Sequence, residues 1–177
     1  MLILTYITNE NKRGEIKMAI IRTMHVEDIP QVQNVAKKSW NATYEGIIPL
    51  EIQEKFLKTA YNDERMKQRL ERSFLFVAEI ESNIIGFANF SPVNDEGKAE
   101  LGAIYLNPEY QGKGVGSALL QKGINELDGV KEIYINVEKD NKIGKSFYDA
   151  KGFQVLKEFD DQFEGHTLKT VRMVLNV

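Results

Sequence analysis

Apolar positions along the chain switch between two spacings, and the switches mark out seven strands and about four helices. A short apolar run at 20–23 predicts a first strand. From Val26 onward Ile29, Val32, Ala36 and Trp40 recur every three to four residues, which predicts a helix. Residues 43–49, with Gly46 and Pro49, break that pattern. A second helical stretch covers about 50–72, with Ile52, Phe56, Met66 and Leu70 facing inward and Asn62-Asp63 dividing it. Strands at 74–80 and 84–91 flank the hairpin signal Glu81-Ser82-Asn83, and 99–106 gives a fourth. A glycine loop then opens onto a helix that buries Val115, Leu119, Ile124 and Leu127. Residues 133–137 form the next strand, and 141–150 a helix stopped by Gly152. Two antiparallel strands, 153–159 and 168–175, close the sheet.

The first 17 residues stand outside this scheme. The start M-L-I-L-T-Y-I-T has no basic leader and runs into polar N-E-N-K-R-G-E, so it fails as a secretory signal. Residues 1–17 read as a dispensable extension or an extra strand, and Met18 is a candidate start. Residues 18–177 read as one domain.

Bulk composition narrows the function classes. A chain of 177 residues, 42% hydrophobic and 28% charged, has material for a single globular core. A net charge of -3 argues against nucleic acid as a partner and favours a cationic substrate. The absence of cysteine excludes disulfides, thiolate metal sites and a cysteine nucleophile, and fits a reducing cytoplasm. His25 and His166 lie too far apart in sequence for a local metal pair, so no metal is expected. No apolar run approaches the roughly 18 residues that span a bilayer.

The most informative segment is I-Y-L-N-P-E-Y-Q-G-K-G-V-G-S, residues 104–117. An apolar strand passes through Pro108 into Gly112, Gly114 and Gly116, and a helix begins at once. Bare peptide N–H groups and the positive end of a helix form a cradle for a phosphate. A dinucleotide fingerprint needs Gly or Ala at 117, where this chain has Ser. A Walker loop ending in Gly144-Lys145-Ser146 needs a glycine where Lys139 stands. A ligand-free surface turn is the plain alternative.

Gln111, Gly114 and Gly116 fill every specified position of the signature of the GNAT family of N-acetyltransferases. A second motif, N-K-I-G-K-S-F-Y-D-A-K-G-F at 141–153, is similar to that family's Asn, Tyr, Gly-Phe pattern. The resemblance covers 19–176 and implies an α/β (α+β) fold with a mixed, mostly antiparallel sheet of about seven strands and about four helices. It also implies acetyl-CoA as cosubstrate. Main-chain groups of Ile104, Tyr105 and Leu106 would hold the pantetheine arm and the acetyl carbonyl. Gln111, Gly112, Lys113, Gly114, Val115, Gly116 and Ser117 would hold the pyrophosphate. Asn141 would bond the pantetheine amide, and Lys145 or Ser146 would approach the CoA phosphates. Tyr148 would protonate the departing sulfur, against the alternative of a tyrosine merely packed between Phe147 and Phe153. Glu100 is the candidate general base, with Glu79 or Tyr105 as substitutes and a solvated strand end as the alternative. A homodimer through the late strands (Val171, Met173, Leu175) is a further expectation of the resemblance, against interior packing of the same residues.

Acceptor choice is expected between the first two strands, where W-N-A-T-Y-E-G-I-I-P (40–49) resembles the PaiA-like branch, acetyltransferases of spermidine and spermine. Trp40 and Tyr44 would form an aromatic wall for an alkylammonium chain, with Glu45, Glu51 or Glu54 supplying charge. The alternatives are a core tryptophan and a solvated glutamate face. The expected activity is acetyl transfer from acetyl-CoA directly to a polyamine, through a tetrahedral intermediate. A protein N-terminus, a lysine, another small amine, or non-catalytic acetyl-CoA binding with a regulatory role are the other readings.

Overall fold

The computed structural model describes residues 3–9 and 15–177, with side chains from Met18 onward. Eight strands are present among the described residues: β1 (Ile3–Asn9), β2 (Glu15–Thr23), β3 (Phe74–Ile80), β4 (Asn83–Phe90), β5 (Lys98–Leu106), β6 (Glu132–Glu138), β7 (Gln154–Phe163) and β8 (His166–Asn176). They form one sheet in the order β1-β2-β3-β4-β5-β6-β8-β7. The eighth strand is β1, whose backbone pairs antiparallel with β2 from Ile3↔Ile21 to Asn9↔Glu15. Part of the leader is therefore a strand, and the predicted first strand starts earlier than 20.

Five α-helices cover the sheet: α1 (Ile29–Tyr44), α2 (Leu50–Ala60), α3 (Asp63–Arg72), α4 (Val115–Glu126) and α5 (Lys142–Ala150). The break between α2 and α3 falls where the sequence places it. Asn62 caps α3 by accepting from Arg65 N at 2.9 Å, a side-chain bond that replaces a missing helical one. On one face α1 packs Val32, Val35 and Ala36 against Val77 and Phe87; on the other α4 packs Val115 and Leu119 against Phe90 and Ile133. Each fully buried Leu, Val or Phe contributes about 1.5–3 kcal/mol of burial. Gly123 sets the approach of α4, because a Cβ there would lie 2.3 Å from the Phe90 ring.

Two irregularities place the site. Every neighbouring pair is antiparallel except β5 and β6, which run parallel and are joined through α4. That parallel pairing holds only from Lys98↔Glu132 to Glu100↔Tyr134. On the other side of β5, Leu101 pairs with Phe90 and Ala103 with Asn89, so Gly102 is an extra residue in the strand. A bulge of this kind bends and twists the strand that carries it. Beyond it β5 and β6 part, and one edge of β5 is left open from Leu101 to Leu106.

The apolar late strand lies inside this frame. Val171 and Met173 are completely buried in the chain's own core, so the interior alternative describes them and they offer no face to a second copy.

Candidate active site

The gap between β5 and β6 is a cavity of about 380 Å³. Its walls are residues 101–106 of β5, Asn136 and Val137 of β6, Trp40 and Tyr44 of α1, and the start of α5 up to Tyr148. Gln111, Gly112 and Gly116 close the end nearest α4.

The ladder fixes which backbone groups face the gap. Asn107 N donates to Ile85 O at 2.8 Å, and the register pairs Tyr105 with Phe87. Bonded residues alternate in an antiparallel pair, so the main-chain groups of Tyr105 turn toward β4. Those of Ile104 and Leu106 turn toward the open edge. Tyr105 is thus corrected from a main-chain ligand to a side-chain wall, its ring tilted against Tyr61 and edge-on to Phe87.

The loop after β5 has the form of a cradle. Gly112 and Gly114 take φ of 72° and 82°, values that side chains resist. Gly114 caps α4 without any side chain, which leaves the first-turn N–H groups of Val115, Gly116 and Ser117 without helical acceptors. Gly116 serves packing: a Cβ there would sit 3.1 Å from the Phe147 ring. The side chains of Lys113 and Val115 point elsewhere, Lys113 over the Tyr110 ring at 5.6 Å and Val115 into the core. The cradle is a main-chain structure, and bare N–H groups at the positive end of a helix fit the diphosphate of coenzyme A.

Asn141 has a structural task that sequence reading assigned to a ligand. Its Oδ1 accepts from Gly144 N at 2.8 Å and caps α5. That cap explains the small residue three positions on, since a Cβ at Gly144 would lie 2.7 Å from Asn141 Nδ2. Asn141 and Ser146 both line the cavity, whereas Lys145 does not. Tyr148 packs edge-on between Phe147 and Phe153, with 5.3 Å between ring centroids in each pair, and also lines the cavity. The packing alternative describes its ring, and its place on the cavity wall leaves the catalytic reading open to test. Burial pushes its phenol well above the ordinary value, with the nearby Tyr105 adding to the shift. Burial does the same for Tyr44 and Tyr105. These phenols are proton donors near neutral pH, which removes Tyr105 as a base.

The proposed carboxylates fare differently. Glu100 is exposed at the far end of β5, and both guanidinium nitrogens of Arg172 bind it, one at 2.6 Å. The ion pair holds it outside the slot, which makes it a poor base for an amine reacting there. Glu79 is held by Arg22 Nε at 2.7 Å, with Asp28 on the same guanidinium. No carboxylate lines the cavity among the described residues. Glu45 is exposed past the end of α1 and lines a separate cleft with Gln53 and Glu109. Glu51 and Glu54 lie exposed on α2.

Trp40 belongs to the cavity wall and to an aromatic stack, 4.3 Å from Phe56 and 4.6 Å from Tyr44 by ring centroids. Its indole Nε1 approaches the Tyr105 hydroxyl without reaching hydrogen-bond geometry and has no acceptor. Sequence reading missed Asn136, Arg172 and a stripe of arginines on α3. Only the last left a signal, Arg65, Arg69 and Arg72 at positions i, i+4 and i+7.

Comparison with known proteins gives the family and the fold. The chain is 35% identical over 143 residues to the spermidine N(1)-acetyltransferase of Thermoplasma acidophilum, covering 76% of this chain and 88% of that protein. It is 32% identical over 160 residues to the uncharacterized N-acetyltransferase YuaI of Bacillus subtilis, covering 87% and 91%. Its fold superposes on the PaiA N-acetyltransferase of Thermoplasma acidophilum, solved in complex with coenzyme A, with a TM-score of 0.78. That match has 28% identity and covers 90% of this chain and 99% of the other. Residues 35–153 match the Acetyltransferase (GNAT) family, and the chain belongs to that family of acetyl-CoA-dependent N-acetyltransferases.

Proposed function

We propose that this chain moves the acetyl group of acetyl-CoA directly onto a small primary amine. The observation that carries the reading is the parting of β5 from β6, a slot with a phosphate cradle at one end and the Tyr148 phenol on its wall. Acetyl-CoA supplies an acetyl group already activated as a thioester. The cradle at 112–117 holds its diphosphate, and the open edge at Ile104 and Leu106 orders the pantetheine arm. The Tyr148 hydroxyl, kept protonated by burial, delivers a proton at the sulfur end. No cysteine is present to carry the acyl group, which supports direct attack and also a reducing cytoplasm as the working compartment. With no carboxylate on the wall among the described residues, the amine, of pKa about 10, sheds one proton to water before it attacks. As the C–S bond breaks, the second proton lost by nitrogen balances the one that Tyr148 gives to sulfur.

The name of the 35% identical relative supports a polyamine as acceptor. Trp40 and Tyr44 add an aromatic wall that attracts alkylammonium groups. The test is release of free thiol from acetyl-CoA with a panel of primary amines that includes spermidine. The expected result is release with at least one amine and initial-rate kinetics that require both substrates together. Thiol release with none of them, by protein that binds CoA, would remove the transfer reading.

A further inference from the structure

Beyond the acetyl end of the slot lies a second cleft, of about 560 Å³, that shares Gly102 with the first. Leu106 and Gly102 are about 13 Å apart along β5 at ~3.3 Å per residue. An acyl arm anchored at the α4 cradle and laid along the strand would end beside this second cleft, which opens on the side an acceptor could enter. We infer that the accepted amine also carries an oxyanion, held in this cleft by the arginines of α3. The inference rests on the transfer reading and narrows its acceptor in a direction that the polyamine relative does not.

The cleft is built from donors. Arg65, Arg69 and Arg72 form one stripe of α3 along its wall. None of the three has a carboxylate partner among the described residues: Arg65 Nη1 donates to Gln68 Oε1 at 3.2 Å, and Arg69 Nη1 contacts Met66 Sδ. Arg69 is half-buried and sits over the Tyr61 ring at 4.7 Å, a contact that restrains its fork. Asn89 Oδ1 is engaged by Ser73 Oγ at 2.7 Å, and its Nδ2 lies 3.4 Å from where a Cβ on Gly102 would stand. The one acid of the wall, Glu100, is neutralised by Arg172. Guanidiniums and an amide N–H₂ beside the bulge match a carboxylate or phosphate, and guanidinium forks bind such groups in pairs of bonds. A polyamine would bring a second ammonium against the same cations.

Four primary amines separate these cases: pentylamine, 5-aminopentanoate, 4-aminobutyl phosphate and the longer spermidine. The expected result is a KM for the carboxylate or phosphate amine about tenfold or more below that of pentylamine, the comparison of the two anions naming the source. Arg72→Gln, at an exposed position with no side-chain partner, should raise that KM about tenfold and leave the KM values for pentylamine and acetyl-CoA unchanged. Calorimetry with 5-aminopentanoate and CoA, a pair that does not turn over, should show the same loss on Arg72→Gln and on Arg69→Gln. Equal KM values for pentylamine and both anionic amines, a preference for spermidine, or indifference to both arginine variants would overturn the proposal. Arginine-dependent binding without thiol release from any amine would keep the anion site and sink the transfer reading instead.

Discussion

The two ends of the open edge of β5 are made of different material. At the Leu106 end the groups that face the slot are main-chain: the edge of the strand, the glycine loop and the first turn of α4. At the Glu100 end they are side chains, drawn from α3, β4, β5 and β8. A backbone site needs no particular side chains but does need unusual dihedral angles and close approach, so it confines glycine to a few adjacent positions. A side-chain site has no such requirement and its members lie far apart in the chain. The cradle therefore lies where the sequence leaves a compact motif, and the α3 cleft where it leaves only a spacing of arginines.

The largest way to probe the first end is Tyr148→Phe, which keeps the ring packed between Phe147 and Phe153 and removes only the hydroxyl. It should lower kcat by about a hundredfold, as loss of a general acid does, with CoA affinity unchanged by calorimetry. An unchanged kcat would reduce Tyr148 to packing. Next comes Gly114→Val, which forces a branched residue to φ of 82° and should cost the cradle on the order of 1–3 kcal/mol in CoA affinity. Wild-type affinity in that variant would mean that the loop does not carry the diphosphate.

The buried phenols give a pH signature. Tyr44, Tyr61, Tyr105 and Tyr148 all hold their protons above the ordinary value because burial disfavours the phenolate. The unfolded chain releases those protons near pH 10 while the folded chain keeps them, so stability is full below that value and falls as pH rises past it. Denaturant midpoints measured from about pH 9 to 11 should decline, and the rate should show no loss of the acid over the climb to about pH 10. The smallest effect is expected at the far end: Glu100→Gln breaks an exposed ion pair with Arg172, worth about 0–1 kcal/mol, and should change kcat less than about threefold. A loss of a hundredfold would restore Glu100 as a base.

Much of the frame was legible, and for a physical reason. Apolar spacing located the helices and seven of the strands because most of these elements bury one face against the core. The eighth strand, β1, was one of two readings of the leader, left open because its apolar run ends in charged residues. The parting of β5 and β6 was not legible, since it depends on which residues pair across strands. Gly102 inside a strand was the one trace of the bulge. Asn141 was found for its motif, but its task as a helix cap was not legible, because a cap and a ligand contact ask for the same side chain. The ion pair of Glu100 was not legible because its partner Arg172 lies 72 residues away in sequence, on β8.

The central claim is that coenzyme A lies along the open edge of β5 with its diphosphate on the α4 cradle. Amide hydrogen exchange followed by NMR, with and without CoA, tests it residue by residue. The account predicts new protection at Ile104 or Leu106 and across 112–117, with Tyr105 already slow before CoA is added because its N–H is bonded to β4. Protection elsewhere, with these amides unmoved by saturating CoA, would contradict it.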